Sequence, residues 1–400
     1  MEQIRMGVIG LGGRGQDLLQ QAILPRAEVA ITALCDRYQD RVDDTAAKVK
    51  AAGIVSEPAL FTDAYACLES GTMDAVLIST SWEEHIPLAC RALELGIAVA
   101  MEVGGAYSER ELWTLVEVYE KTRTPFMFME NCCFGRDELM VLNMVKQGIL
   151  GEVVHCAGGY LHDLRDEIAG GEQNRHYRLE NYLHRNTENY PTHEIGPIAR
   201  VLDLNRGNRM LTLTSVASRA AGMTEYLEQN DDTYPELKGR IFRQGDVVST
   251  TITCAGGQTI HITLDTTLPR YYSRGFTVSG TKGMYCEENQ SIFLDSEESH
   301  RKAHFSWRAQ WGNVENYRGD FDHPIWQAFL ADEVRGGHGG MDWLEFDAFF
   351  EALKSGEPMP IDVYDAASWM VISVLAEQSI ALGGQPMAFP DFTRGRWIAH

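Results

Sequence analysis

The stretch GVIGLGGRG, residues 7–15, constrains the fold of this chain more than any other. It places Gly10, Gly12 and Gly15 in G-x-G-x-x-G register, after an apolar run and before the helix-like QDLLQQAI. Glycines at this spacing permit a tight turn and a close approach of a pyrophosphate to backbone amides at a helix N-terminus. A flexible glycine-rich turn can have the same residues, so the surrounding sequence has to show whether this is a dinucleotide-binding turn.

That pattern alternates short apolar runs with longer amphipathic segments up to about residue 150. IRMGVIG, VAITALC, DAVLIST, IAVAME and PFMFME are predicted strands, and 38–52, 83–95 and 108–121 are predicted helices. Strands that are apolar throughout and separated by helices indicate a parallel sheet covered on both faces. The sequence therefore predicts an N-terminal Rossmann domain, a doubly wound parallel sheet of the α/β class.

An acidic residue follows the glycines at the expected distance, because the second predicted strand ends in Cys35-Asp36-Arg37. A carboxylate about twenty positions beyond the glycines can accept hydrogen bonds from the adenosine ribose hydroxyls and opposes a 2′-phosphate. The pattern therefore favours NAD over NADP. Arg37 keeps the alternative open, since a neighbouring guanidinium is one way to hold NADP.

Beyond residue 150 the period changes. RMLTLTSVASRA, VVSTTITCAGGQTIHITLDTT and GFTVSGTKGMYCEE alternate polar and apolar residues or are rich in Thr and Val, which predicts antiparallel hairpins. Helical spacing returns from residue 323 onward. We predict a cofactor-binding domain over 1–132 and, over 133–400, an α+β domain built on an open, largely antiparallel sheet for substrate binding and oligomerisation.

Bulk properties exclude several classes of function. The formal net charge of −22 in 400 residues opposes non-specific binding to nucleic acid or to an anionic membrane. No secretory signal or membrane-length apolar run is apparent, so we expect a cytoplasmic protein. The eight cysteines show no CxxC spacing, and HEIGP lacks a second histidine at zinc-motif spacing; we therefore expect reduced thiols and no bound metal.

The segment LISTSWEEHIPLACRALELGIAVAMEVGG resembles the Gfo/Idh/MocA oxidoreductases. In that superfamily an E-K-P motif closes a strand, and its lysine relays a proton during oxidation of a hydroxyl. Here the motif is Glu102-Val103-Gly104, without the lysine. The departure implies either an inactive relative or a different reaction.

Four further segments are similar to glycoside hydrolase family 109, a branch with E-V-P in place of E-K-P: FMENCCFGRDELMVLNMVKQGILGEVVHCAGGYLHDLR, RNTENYPTHEIGP, TTLPRYYSRGFTVSGTKG and RGGHGGMD. The resemblance implies an NAD-dependent glycosidase resembling α-N-acetylgalactosaminidases. It further implies a route through transient oxidation at C3, loss of the C2 proton with elimination, addition of water and re-reduction. Such a route requires no pair of carboxylates at the glycosidic bond.

The same resemblance implies the cofactor residues. Arg14 matches the arginine of the family's glycine-rich loop, and Gly104 stands where the family has proline. The usual W-E-W-H is W-E-E-H here, with Glu84 in place of the second tryptophan. The predicted cofactor-binding residues are Gly10, Gly12, Gly13, Arg14, Gly15, Asp36, Arg37, Ser79, Thr80, Trp82, His85, Glu102, Val103 and Asn131.

On the sugar side, the resemblance makes Tyr190, His193 and Tyr272 the predicted catalytic residues. The predicted substrate-binding residues are Tyr160, Arg178, Tyr190, Pro191, Thr192, His193 and Tyr272. The family's RNGNLYPTH is RNTENYPTH here, and Glu194 stands where the family has glycine. These acidic substitutions leave the sugar open, and a Gly-Pro break is expected just after them.

The sequence leaves open two alternative functions and the role of one residue. A sugar dehydrogenase or glycoside 3-oxidase would stop at the keto product, whereas a non-catalytic NAD(H) sensor would turn over no glycoside. His338, which lies between glycines, fits a turn residue as well as a ligand contact. We expect a small glycoside as substrate, no nucleic acid or membrane partner, and a homo-oligomer formed through the open sheet.

Overall fold

The computed structural model describes residues 3–53, 57–296, 306–332 and 334–399. The chain forms two compact units. One comprises Met1–Phe134 and Asp332–Ala367, and the other Gly135–Ala331 and Ser368–His400. None of the helices within the described ranges combines the length and apolar character of a membrane span.

The first unit is built on a six-stranded parallel sheet with the order β3-β2-β1-β4-β5-β6. Its strands are β1 (Ile4–Ile9), β2 (Val29–Cys35), β3 (Ala59–Phe61), β4 (Ala75–Ile78), β5 (Ala98–Glu102) and β6 (Phe126–Met129). The residues of β4, β5 and β6 are all buried, as expected for strands covered on both faces. The predicted doubly wound sheet is confirmed.

The helices of this unit's N-terminal part are α1 (Gly13–Leu18), α2 (Gln39–Ala51), α3 (Ala64–Glu69), α4 (Trp82–Glu94) and α5 (Glu109–Thr122). α1 continues as a π-helical turn, Leu19–Ile23, and a 3₁₀ turn, Asn131–Phe134, follows β6. Ser108 and Glu111 form a reciprocal capping box that fixes the start of α5. The predicted helices α2, α4 and α5 agree with the structure to within one residue at each end.

The second unit contains an eight-stranded mixed sheet with the order β13-β12-β11-β7-β10-β9-β8-β14. Its strands are β7 (Val153–Leu161), β8 (Met210–Ala217), β9 (Val247–Cys254), β10 (Thr259–Asp265), β11 (Thr277–Gly280), β12 (Gly283–Cys286), β13 (Ser291–Leu294) and β14 (Met387–Ala388). All pairs are antiparallel except β7 with β10. The predicted α+β domain is confirmed, and the parallel pair is an addition that the hairpin pattern did not indicate.

Eight helices of the described part precede residue 333 and accompany this sheet, and the later part of a ninth helix, α15 (Val363–Ala381), also belongs to this unit. The eight are α6 (Arg136–Lys146), α7 (Arg165–Ala169), α8 (Gly171–Asn174), α9 (Arg178–His184), α10 (Thr192–Val201), α11 (Gly222–Gln229), α12 (Glu315–Phe321) and α13 (Pro324–Asp332). The expected Gly-Pro break is wrong, because α10 runs through Gly196 and Pro197. Pro197 removes only the hydrogen bond that would reach the carbonyl of His193, four residues earlier. The buried apolar residues of α10 outweigh that loss.

The segment Asp332–Ala367 belongs to the first unit, although the sequence division assigned it to 133–400. It contains α14 (Met341–Ser355) and the start of α15 (Val363–Ala381). A buried arginine anchors it: Arg26 Nη1 donates to Asp347 at 2.5 Å and Nη2 to the carbonyl of Trp343 at 2.9 Å. The guanidinium also lies 4.0 Å from the centroid of the Trp343 ring. Helical spacing alone gave no sign of these contacts.

Candidate functional site

Two of the three motif glycines are required by the protein's own packing. Gly10 has φ +97°, and a Cβ there would lie 2.2 Å from the carbonyl oxygen of Ser79. A Cβ on Gly15 would lie 2.0 Å from the carbonyl oxygen of Gly10. The turn after β1 is therefore pressed against the end of β4, at the point where the strand order reverses and open α/β sheets bind ligands.

Gly12 and Gly13 are different, because nothing in the described protein needs them to be glycine. Gly12 has an ordinary φ of −69°, and a Cβ there would meet only Arg41 Nη1, at 3.6 Å. Around Gly13, no atom lies within 4 Å of the Cβ position. Gly12 and Gly13 thus leave open space at the start of α1. This is the space that a pyrophosphate occupies in a Rossmann turn.

Asp36 follows β2, and its buried carboxylate accepts hydrogen bonds from the amides of Leu11, at 2.8 Å, and Tyr38, at 3.0 Å. The Arg41 guanidinium lies 3.7 Å from Asp36 Oδ2. A carboxylate has about four acceptor positions, so some remain for ribose hydroxyls. Arg37 is exposed. Asp36 therefore holds the glycine-rich loop and keeps acceptor capacity for a cofactor.

The side chain of Arg14 is bound by two carboxylates. Its Nε donates to Glu102 at 2.8 Å, while Nη1 and Nη2 donate to the two oxygens of Asp342 at 2.9 and 3.0 Å. Glu102 ends β5 and also accepts from the amide of Val103 at 3.0 Å. Burial raises the pKa of Glu102, and the charge of Arg14 opposes that shift. The end of β5 and the glycine-rich loop are thereby tied together.

Asp342 is a functional candidate that the sequence analysis missed. Besides Arg14, it accepts from Asn131 Nδ2 at 2.8 Å and lies 2.8 Å from Nδ1 of His338. Burial alone would raise the pKa of Asp342, but hydrogen bonds from His338 and Arg14 outweigh burial and hold it well below its usual range. The segment RGGHGGMD was a recognisable motif, but its letters did not show that its aspartate reaches the glycine-rich loop.

The first residues of α4 complete this edge of the sheet. His85 is buried, and its Nε2 donates to the carbonyl of Thr80 at 3.1 Å. Burial lowers the pKa of His85 to about 4, so the ring is neutral near pH 7. A Cβ on Gly104 would lie 2.5 Å from the Trp82 indole. Glycine at the family's proline position therefore lets this indole rest directly against the backbone.

The predicted cofactor residues consequently converge on the carboxyl edge of the parallel sheet. They occupy the turn after β1 and the ends of β2, β4, β5 and β6. The open space at Gly12, the carboxylate after β2 and the N-terminus of α1 fit a dinucleotide. The acidic ribose position fits NAD.

In the second unit, three predicted sugar residues form one aromatic cluster. The Tyr190 ring centroid lies 4.6 Å from that of Tyr160 and 4.8 Å from that of His193, and Tyr160 and His193 are 5.5 Å apart. Tyr160 is near the end of β7, and His193 is in the first turn of α10. Burial raises the pKa of Tyr160, so its phenol stays protonated.

Tyr272 extends this cluster on the exposed side. Its ring centroid lies 5.0 Å from that of His162, which in turn lies 5.8 Å from that of Tyr160. The next residue, Ser273, is bonded to Leu161 in both directions, at 2.9 and 3.2 Å, which holds Tyr272 beside the end of β7. Tyr272 is 52% exposed, so it is the accessible member of the group.

Arg178, at the start of α9, places a buried cation behind the cluster. Its guanidinium carbon lies 5.4 Å from the Tyr190 ring centroid, and its Nε is 2.6 Å from Glu167. Burial raises the pKa of Glu167, but Arg178 and His176 outweigh it and lower that pKa below its ordinary value. Glu167 was missed by the sequence analysis, because nothing in LRDEIAG distinguishes it from a solvated acid.

The residues between Arg178 and His193 are held by a buried glutamine. Gln244 Oε1 accepts from the amide of Thr187 at 3.2 Å and from Asn189 Nδ2 at 2.6 Å, and Gln244 Nε2 donates to the Thr187 carbonyl at 3.0 Å. Pro191 precedes α10, and its carbonyl accepts from the amide of Ile195 at 3.0 Å. Thr192, the first residue of α10, is fully buried. Tyr190 and His193 therefore project from a fixed backbone.

Comparisons with known protein families agree with this geometry. Residues 4–127 match the oxidoreductase family with an NAD-binding Rossmann fold. Residues 134–399 match the glycosyl hydrolase 109 C-terminal domain.

The chain belongs to glycosyl hydrolase family 109.

Its relatives include a glycosyl hydrolase family 109 protein of Stenotrophomonas maltophilia, 39% identical, with 99% of this chain and 90% of the relative covered. An α-N-acetylgalactosaminidase of Tannerella forsythia is 36% identical, with 99% and 87% covered. Among solved structures, an inositol dehydrogenase homologue of Azotobacter vinelandii complexed with NAD+ has a TM-score of 0.68 at 16% identity, covering 97% of this chain and 98% of that one. At that identity the likeness concerns the fold alone.

The family assignment confirms three predictions made from the sequence: an NAD-binding Rossmann domain, NAD as the cofactor, and an NAD-dependent glycosidase. The roles given to individual residues remain predictions.

Proposed function

We propose that this protein hydrolyses glycosides with NAD as a resident cofactor, with an α-N-acetylgalactosaminide as the first substrate to test. The observation that carries the proposal is the Tyr160–Tyr190–His193 cluster, in a family 109 chain whose cofactor motif has Val103 in place of the dehydrogenases' lysine. The curated α-N-acetylgalactosaminidases among its relatives support the choice of sugar.

Bound NAD would supply reversible oxidation of the sugar's C3 hydroxyl, after which the proton at C2 becomes acidic enough for an ordinary side chain to remove. Tyr190 and His193 are the proposed proton-transfer groups for the C2 proton and the C3 hydroxyl. Tyr272, the third proposed catalytic residue, would donate a hydrogen bond to the oxygen of the leaving group. Tyr160, protonated because it is buried, would donate a hydrogen bond to a sugar oxygen. Arg178 would fix the orientation of Tyr190.

The proposal assigns the cofactor to 1–132, extended by Asp332–Ala367, and the sugar to the remainder of 133–400. The predicted substrate contacts of Pro191 and Thr192 are part of it. A cytoplasmic location and self-association through the open sheet stay predictions. Light scattering measures the second of these directly.

Deuterium incorporation tests the proposed route. Aryl α-N-acetylgalactosaminides are incubated with the protein in deuterated water, without added cofactor, and the released sugar is analysed. We expect free sugar carrying deuterium at C2 and no lasting accumulation of NADH. An unlabelled C2 would contradict the route and indicate acid/base hydrolysis at C1. Stoichiometric NADH with intact glycoside would indicate a 3-oxidase.

A further inference from the structure

The cofactor motif contains a connection that the proposed chemistry does not use. We call it the Arg14 clamp: Arg14, Glu102, Asn131, His338 and Asp342. It joins the turn after β1, the end of β5, the 3₁₀ turn after β6 and the start of α14, all within the first unit. Three of these elements follow parallel strands, at the edge where a dinucleotide binds.

The positive charge of Arg14 is paired with two acids within this clamp. Three of its nitrogens donate to Glu102 and Asp342, and both acids lie at salt-bridge distance. A guanidinium so compensated contributes little as a free cation for phosphate. Its contribution is to fix the backbone of the glycine-rich loop.

His338 is held in a conformation that an ordinary side chain rarely adopts. Its φ is +51°, and Gly339 and Gly340 follow with φ of +67° and +104°. Side chains other than glycine are strained in this region and persist there where the surroundings determine them. Nδ1 of His338 faces Asp342, and Arg14 Nη1 lies 3.2 Å away, while 55% of the side chain is exposed. The imidazole therefore presents its other nitrogen outward, next to the glycine-rich loop.

We propose that the Arg14 clamp retains NAD between turnovers, with Asp342 as a positioning residue and His338 as an additional contact to the dinucleotide. The inference rests on the proposed function, because only a reaction that returns its electrons to the sugar benefits from a cofactor that stays bound. Asp342 fixes the loop against β5 and β6, so the cofactor leaves only when that connection opens. His338 supplies a ring nitrogen to the phosphate or ribose part of NAD.

The test compares Asp342→Asn with Asp347→Asn, a control on the same helix that bonds Arg26 instead. NAD bound per chain is measured after gel filtration, and the dissociation rate is measured by displacement with a labelled dinucleotide. We expect D342N to release NAD about tenfold faster or more, since hydrogen bonds between charged groups are lost, and D347N to match the wild type. Excess NAD should restore the activity of D342N.

A second variant covers the case in which D342N fails to fold. His338→Asn keeps a residue that tolerates the left-handed backbone but removes the outward ring nitrogen. We expect H338N to melt like the wild type and to release NAD about 2–10-fold faster, the effect of one lost hydrogen bond. Release within experimental error of the wild-type rate from D342N, or from H338N where D342N does not fold, would overturn the inference.

The two proposals fail in different ways. Wild-type protein that cleaves glycosides without any dinucleotide would refute the proposed function. The NAD release rates of the variants would still show whether the Arg14 clamp retains NAD. Wild-type protein that needs NAD, together with a D342N variant that keeps it, would refute the clamp alone.

Discussion

The two units hold their functional side chains in different ways. In the first, the polar groups at the sheet edge bond to one another or to backbone: Asp36 to the amide of Leu11, and Arg14 to Asp342. In the second, the described contacts among Tyr160, Tyr190 and His193 are between rings, at centroid distances of 4.6–5.5 Å. The first arrangement suits a cofactor that remains in one place. The second packs aromatic rings together and suits a substrate that must enter and leave.

The largest expected effect is a loss of activity caused by changes in the second unit that leave NAD binding in the first unit intact. His193→Ala and Tyr190→Phe should each lower kcat by roughly 10²–10⁴-fold, because a proton-transfer group is removed. Bound NAD should stay at wild-type level. His184→Ala is the matched control, since His184 is an exposed histidine of the same unit, 63% accessible. Steady-state kinetics measure kcat, and quantification of NAD measures the bound cofactor. A decrease in kcat of less than threefold in H193A would remove His193 from the proposal.

The next prediction separates packing from ligand space in the first unit. Gly12→Ala meets no protein atom closer than 3.6 Å, so its cofactor-free melting temperature should equal that of the wild type. NAD affinity should fall by about 10–100-fold, because the new methyl group occupies the pyrophosphate's space. Gly15→Ala, whose Cβ would lie 2.0 Å from the Gly10 carbonyl oxygen, should lower the melting temperature. Calorimetric titration with NAD measures this affinity. A G12A variant that binds NAD as tightly as the wild type would contradict this account of the loop.

A pH effect is expected for Glu188, one of the buried acids of the second unit. Burial raises the pKa of Glu188 to about 8, above its ordinary value of 4.5. The folded chain therefore keeps a proton that the unfolded chain releases, so stability falls as pH rises from about 5 to about 8, by roughly 1.4 kcal/mol per pH unit for this group.

Glu188→Gln should remove the contribution of this group, so the variant should lose less stability than the wild type between pH 5 and pH 8. Glu138, whose pKa burial raises to about 7, keeps its own contribution. Denaturant unfolding at several pH values measures the difference. The exposed Glu228→Gln should keep the wild-type slope. An E188Q variant whose stability shows the wild-type pH dependence would mean that Glu188 is ionised in the folded protein.

The smallest expected effect concerns the exposed end of the aromatic cluster. Tyr272→Phe keeps the ring beside His162 and removes only the hydroxyl, so kcat/KM should fall about 2–13-fold, the range of a single hydrogen bond. The same assay on Tyr271→Phe, the neighbouring exposed tyrosine, should give the wild-type value. Equal values for Y272F and wild type would make Tyr272 a packing residue only.

The sequence predicted the Rossmann sheet well because its strands are apolar throughout and its helices amphipathic, patterns that local residues determine. It placed Asp36 at the cofactor edge because strand end and glycine loop have a fixed spacing. The sequence did not identify Asp342, because no local pattern shows that a residue 328 positions beyond Arg14 forms hydrogen bonds with Arg14. Long-range pairing of this kind depends on the fold.

The second unit was harder to read for a related reason. Its hairpins were visible in alternation, but β7 contains Gly158 and Gly159, which weaken a strand pattern, and its parallel partner β10 is about a hundred residues away in sequence. The continuation of α10 through Pro197 depends on burial rather than propensity. Tyr190 and His193 were found through a family motif, and their packing on Tyr160 came from the structure.

The central claim is that cleavage depends on a bound dinucleotide. The most direct test strips the protein of NAD, verifies its absence by absorbance and chromatography, and measures release of the aryl group before and after NAD is returned. We predict a rate roughly a hundredfold or more below that of the untreated protein, restored by stoichiometric NAD. Undiminished cleavage by verified cofactor-free protein would contradict the account.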